Sequence, residues 1–161
     1  MSPTSNKTIT ITNRAALTAG GALGAAMKPR DGKTPLPTKV LWALMANQQA
    51  LAAAAEKFSA AQQELQSEHT KVENGEPVRQ TQTEREITGE GATRKEVVRE
   101  VSTGVPVLID EAAFARAMYE LGEETIDLTV RQVPLSALLD AGWEPAGLWP
   151  LVDIVLVEDD A

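Results

Sequence analysis

Residues 38–70, TKVLWALMANQQALAAAAEKFSAAQQELQSEHT, decide how the rest of this chain is read. Leu44, Gln48, Leu51, Ala55, Phe58, Gln62 and Leu65 recur at alternating steps of four and three, the spacing of a long helix with one seam. Glu56, Lys57, Glu64, Glu68 and Lys71 take the remaining face. Val40, Leu41 and Met45 widen the apolar stripe near the start, so that end is expected to be the more buried, with Trp42 in the core. The seam reads as an intramolecular helix pair, or as a surface shared with a second copy or another protein.

Working outward on the N-terminal side, residues 14–27 read as a helix capped by Asn13. Gly20, Gly21 and Gly24 each cost about 1 kcal/mol relative to Ala, a cost explained by close approach of another backbone or by a broken helix. Leu17, Leu23 and Met27 are placed to oppose the long helix in a hairpin. Residues 15–27 match the length of a signal-peptide apolar region, but they are Gly-rich and weakly apolar and follow a strand-like segment. That strand is 7–12, KTITIT, in which Ile alternates with Thr. Residues 28–37, KPRDGKTPLP, are loop, and the ends at 1–6 and 158–161 are expected to be flexible.

On the C-terminal side, 73–77 (ENGEP) is a turn. Segments 78–88 and 93–102 flank Gly89-Glu90-Gly91-Ala92 and read as a polar β-hairpin, with a helix over 93–101 as the competitor. A ribbon polar on both faces cannot bury much, so 78–102 is expected to project as an appendage. Residues 106–109 form a short apolar strand. Asp110 caps a helix that buries Phe114, Met118 and Leu121 and ends at Gly122. Residues 125–133 alternate cleanly as a strand, and 135–139 make a helical turn stopped by Gly142. Residues 145–157 read as a helix, or as one turn followed by a strand from 152 to 157, because Pro150 lies inside the window. The expected fold is therefore α+β: a helical hairpin with one long helix packed on a small, mostly antiparallel sheet, plus a protruding polar β-hairpin, in a single domain over 1–161.

Composition narrows the function. Hydrophobic residues are 43% of the chain but aromatics only 4%, and much of the apolar share is Ala, so the core is expected to be thin. Without Cys there are no disulfides, zinc-thiolate sites or cysteine nucleophiles. The net charge of −8 is uneven: seven Lys/Arg against four Asp/Glu in 1–70, six against seven in 71–104, and two against twelve in 105–161. An acidic final third argues against phosphate-backbone binding. It fits a solvated surface, docking to a basic partner, or mimicry of nucleic acid.

The usual catalytic constellations do not assemble. His69 is a lone histidine at the polar end of the long helix and reads as solvated. Neither Gly20-Gly21-Ala22-Leu23-Gly24 nor Gly89-Glu90-Gly91 has the Gly-Lys-Ser/Thr of a phosphate loop or the placement of a dinucleotide fingerprint. Glu123, Glu124, Asp127 and Asp153 offer carboxylate pairs, as composition alone produces in so acidic a region. No catalytic, metal or cofactor site is assigned. Trp143 and Trp149, flanking Pro145 and Pro150, either close the core or anchor an interface. With Leu51, Phe58 and Leu65 of the seam they are the candidate interface residues.

The order Ile9-Thr10-Ile11-Thr12-Asn13, Leu36-Pro37, Asn74-Gly75-Glu76-Pro77-Val78, then an acidic end from Leu135 to Glu158, resembles a group of small, uncharacterised phage and prophage proteins. The ribbon over 79–102 departs from that pattern as an insertion. The resemblance implies provenance, with no activity or catalytic residue to carry over. Together these readings lead to an expected phage or prophage accessory protein, non-enzymatic, acting by protein–protein contact in virion assembly or host-factor binding. A protein partner or self-association is expected, with no cofactor, nucleic acid or membrane, and a cytoplasmic or virion-associated location. The alternative is a small-ligand binder or minor enzyme with a pocket between helices and sheet.

Overall fold

A computed structural model describes residues 5–28 and 34–157. The expected flexible ends, apart from Ser5 and Asn6, lie outside the described residues, as do positions 29–33 of the expected loop. The chain is α+β and divides into two compact units, Met1–Gln62 with Tyr119–Ala161, and Gln63–Met118.

In the first unit the two cleanest alternating segments find each other. Strand β1 (Asn6–Thr12) runs antiparallel to a strand at Thr125–Arg131, with Ile9 opposite Leu128 and Ile11 opposite Ile126. These four side chains pack on the core from one face, as period-2 alternation requires. Helix α1 (Asn13–Ala26) follows directly. Thr12, rather than Asn13, is its N-cap: Thr12 Oγ1 accepts a hydrogen bond from the Ala15 N–H at 3.1 Å. Asn13 is committed elsewhere, donating through Nδ2 to the Leu121 carbonyl and through its backbone N–H to the Glu124 carbonyl, both at 2.9 Å.

Helix α2 (Thr38–His69) is unbroken, as its spacing predicts. Its seam is shifted. Val40, Leu44, Asn47, Leu51, Ala54 and Phe58 are the buried residues at steps of four and three, so Asn47 and Ala54 replace the expected Gln48 and Ala55. A pattern anchored at 44, 51 and 58 is satisfied by either neighbour in between, and hydrogen bonding selects Asn47. Its Oδ1 accepts from the Arg131 N–H at 2.7 Å and its Nδ2 donates to the Arg131 carbonyl at 2.8 Å. The Asn47 amide thus acts as a one-residue strand against the backbone of Arg131. Gln48 is half-buried, and its Oε1 has no hydrogen-bond partner among the described residues.

Helix α1 stays intact through its glycines. A Cβ on Gly20 would lie 3.6 Å from Leu51 Cβ, and one on Gly24 would lie 3.6 Å from Gln48 Nε2. The close approach is therefore to side chains of α2. Leu23 is fully buried, whereas Leu17 points largely to solvent. Leu41, Trp42 and Met45, expected to thicken the core, are instead exposed, Trp42 by 62%. The stripe that is actually covered runs through Val40, Ala43 and Leu44, and the next residues round the helix face outward.

The second unit begins in the last turns of α2. Strands β2 (Val72–Glu73) and β3 (Glu76–Pro77) close a two-residue hairpin on Asn74-Gly75, with φ of 54° and 81°. That pair of left-handed residues is the type I′ turn that Asn-Gly favours. Strands β4 (Arg79–Thr88) and β5 (Lys95–Pro106) pair antiparallel from Thr81↔Ser102 to Thr88↔Lys95, so the helical alternative over 93–101 is overturned. At the base three segments of the chain meet in a ring of backbone hydrogen bonds. Lys71 N–H donates to Val107, Val107 N–H to Val78, and Val78 N–H to Lys71, each at 2.8 Å. Thr70, 8% exposed, is the one buried residue of this unit among the described residues.

Helix α3 (Glu111–Glu123) starts at Asp110, whose carboxylate accepts from the Ala113 N–H at 2.9 Å. Phe114, Met118 and Leu121 are half-buried rather than buried. Gly122 does not end the helix. It lies in its last turn, where a Cβ would meet the Arg14 guanidinium at 3.2 Å.

Back in the first unit, β6 is the strand Thr125–Arg131, two residues shorter than expected, and Val133–Pro134 form a separate strand, β7. Helix α4 (Leu135–Asp140) ends as expected near Gly142. The N–H groups of Gly142 and Trp143 return to the carbonyls of Leu139 and Leu138 at 2.9 and 3.0 Å, a Schellman closure. The expected terminal helix gives way to a turn, as in the alternative, but the strand is confined to Leu156–Val157 instead of running from 152 to 157. Helix α5 (Pro145–Leu148) gives way to a 3-10 turn at Trp149–Leu151, and β8 (Leu156–Val157) pairs parallel with β7. Pro150 explains the break, since it lacks the N–H that a continuing helix needs. Leu138, Leu148, Leu151, Val155 and Leu156 join Leu23, Leu44 and Leu51 in one core. Each of these large side chains contributes roughly 1.5–3 kcal/mol on burial, so a chain poor in aromatics is held mainly by leucine.

Candidate interaction surfaces

The C-terminal turn shows how the fold presents an anchor. Leu148 and Leu151 are 1% and 0% exposed, which fixes the turn between them to the core and leaves Trp149 pointing out, 77% exposed. Backbone bonds brace the segment: Val152 N–H to Trp149, Ile154 and Val155 N–H to Leu151, and Asp153 N–H to Leu156, at 3.0–3.2 Å. Leu135, Leu139, Pro145, Leu148, Trp149 and Val152 wall an apolar groove of about 450 Å³, with Asp153 as its charged residue. Asp153 sits at φ 64°, a left-handed conformation that Asp tolerates better than most residues.

The five candidate interface residues therefore separate. Trp149 is on the surface. Trp143 is half-buried and packs against the core, so it closes the core. Leu51 is fully buried and Phe58 nearly so, which leaves them little area to offer in the folded chain. Leu65 is half-buried.

The other groups singled out from sequence have structural roles. His69 is half-buried at the end of α2, its ring tilted against Phe114 with centroids 5.7 Å apart, rather than solvated. Glu123 pairs with Arg14 at 3.4 Å, and the Arg14 guanidinium lies 5.0 Å from the centre of the Tyr119 ring. Asp127 accepts a 2.6 Å hydrogen bond from Thr10 Oγ1 across the β1–β6 pair. Among the described residues no group of three or more His, Asp or Glu is placed to hold a metal ion. No helix there is long and apolar enough to cross a membrane.

No known protein family, curated protein or solved structure matches this chain. What it can do must be read from its own surfaces. Two more stand out, a cleft that was not evident in the sequence and the edge of the expected ribbon. A shallow cleft of about 360 Å³ lies in the second unit, lined by Gln63, Gln66, Ser67, Arg79 and Pro106 among others. Strand β4, exposed along its whole length, pairs only with β5 among the described residues.

Proposed function

We propose that this chain is a non-enzymatic accessory protein of a phage or prophage that works by binding another protein, in virion assembly or on a host factor. The supporting observation is Trp149: a large aromatic, 77% exposed, held rigid on a braced turn beside an apolar groove. A preorganised aromatic beside an apolar groove is the usual hot spot of a protein interface, because little conformational entropy is lost on docking. Asp153 within the groove, and Asp140 and Glu144 next to groove residues in sequence, favour a partner that sets an apolar side chain beside a Lys or Arg. The phage provenance rests on the resemblance described above.

Affinity capture with wild type, Trp149→Ala and Asp153→Lys in extract of a phage-carrying bacterium tests this. A protein retained by wild type and lost with both variants is expected, whereas equal retention by all three refutes the groove as the site. A second reading uses the same groove. Its volume lies in the range of small-ligand pockets, roughly 300–1,000 Å³. A metabolite that raises the melting temperature of wild type but not of Trp149→Ala would favour it.

A further inference from the structure

The ribbon is built in a way that leaves it incomplete. All ten residues of β4 are exposed, and in β5 only Val97 and Pro106 are even half-buried. Ile87 and Val98 share one face of it, 54% and 57% exposed. Its cross-strand ion pairs, Arg85–Glu96 at 3.6 Å and Arg99–Glu86 at 3.9 Å, are too exposed to contribute much. A two-stranded ribbon with no packed face is marginal on its own, and an uncovered edge strand is a template for another strand.

The charge pattern says which strand fits. β4 carries Arg79 and Arg85 against Glu84 and Glu86, and β5 carries Lys95 and Arg99 against Glu96 and Glu100. The ribbon is therefore neutral in a chain of net charge −8, so two ribbons can meet without the repulsion that opposes contact elsewhere.

Register then selects one geometry. Directly opposed residues of an antiparallel pair share a face, so a two-fold axis between two identical strands must pass through a residue. On β4, axes through Glu84, Arg85 or Glu86 set a charge against itself, and an axis through Gln82 sets Arg79 against Arg85. Axes nearer the ends, such as those through Thr81 or Ile87, oppose five residues of β4 or fewer, whereas an axis through Thr83 opposes residues 79–87 and avoids every like-charge pair. It puts Gln82 opposite Glu84 of the second copy, Thr81 opposite Arg85, Gln80 opposite Glu86, and the Arg79 stem beside the exposed Ile87.

The edge of β5 offers nothing equivalent. Axes through Val97 and Val98 oppose Lys95 to Arg99 and Glu96 to Glu100. An axis through Val101 calls on residues 103–105, where the register shifts and Gly104 turns to φ 77°. We infer that two copies of this chain pair through the free edge of β4, antiparallel about Thr83, making a four-stranded sheet in the order β5-β4-β4-β5.

The absence of cysteine makes the test clean. In Thr83→Cys the two thiols face each other across the axis, and mild oxidation is expected to give a disulfide-linked dimer quickly. Gln82→Cys, opposed to Glu84 instead, is expected to link far more slowly. Sedimentation equilibrium should find wild type dimerising with concentration. Thr83→Lys and Thr83→Glu should each be weakened several-fold, and their equimolar mixture should recover as a heterodimer. All these substitutions are at exposed positions, and circular dichroism checks that the fold is kept. A wild type that stays monomeric at every concentration overturns the inference. So do equal linking rates for the two cysteine variants, or charge variants that dimerise like wild type. Trp149→Ala leaves this dimer unchanged, so this pairing and the groove reading stand or fall separately.

Discussion

Replacing Asn47 by Ala removes two hydrogen bonds that tie the long helix to the sheet, and its cost can be worked from the geometry. The side chain is 1% exposed and makes two short hydrogen bonds, both to the backbone of Arg131. Losing a protein hydrogen bond costs about 1 kcal/mol net, and leaving its partner unsatisfied at a buried site raises that to about 1–3 kcal/mol per group. Two such groups give an expected loss of about 2–6 kcal/mol, or roughly 4–24 °C in melting temperature for a chain of this size. Gln48 is the internal control. It is a residue away, half-buried, with an amide oxygen that has no partner among the described residues, so Gln48→Leu is expected to be neutral or stabilising. Urea unfolding followed by tryptophan fluorescence suits the comparison, because Trp42, Trp143 and Trp149 all belong to the first unit. Equal effects at 47 and 48, or a larger effect at 48, would refute the assignment of the seam.

Other consequences can be checked in the same way. Gly21 has nothing within 4 Å of a would-be Cβ, so Gly21→Ala should stabilise α1 by up to about 1 kcal/mol, read as a higher urea midpoint. Asp110→Ala deletes the cap of α3 and should lower stability by about 0.5–2 kcal/mol, while Asp110→Asn largely preserves it. Leu151→Ala should cost about 2–5 kcal/mol as a buried truncation, while Trp149→Ala, on the same turn, should stay within about 0.5 kcal/mol of wild type. Thermal melts of that pair separate the residue that holds the turn from the residue it displays.

Much of this architecture is legible in the residues, and the losses have identifiable causes. β1, β6 and the ribbon follow from alternation, and α2 from its steps of four and three, because burial on one face imposes those periods directly. The choice between Asn47 and Gln48 is not legible, since both fit a seam anchored at 44, 51 and 58. It depends on Arg131, which is distant in sequence. Trp42, expected in the core, and Trp149, left open between core and interface, are both exposed for a related reason: composition marks a tryptophan as apolar, but only the neighbouring turns decide which way it points. Leu148, Leu151, Val152 and Val155 fit a helix by spacing, and Pro150 alone signalled the turn that replaces it. The surfaces were the least legible part. A groove and a free strand edge are properties of what surrounds a residue.

The pairing of β1 with β6 also sets a timetable for synthesis. Thr10 and Asp127 meet across 117 residues, so β1 must wait until β6 has been made. The whole second unit, contiguous from Gln63 to Met118, has been translated by then. Long-range closure of this kind is slow relative to local contacts, and domains translated earlier generally fold first. During that interval Asn47 lacks its hydrogen-bond partner, because Arg131 has yet to leave the ribosome. The arrival of β6 therefore both closes the sheet and supplies the backbone with which Asn47 pairs.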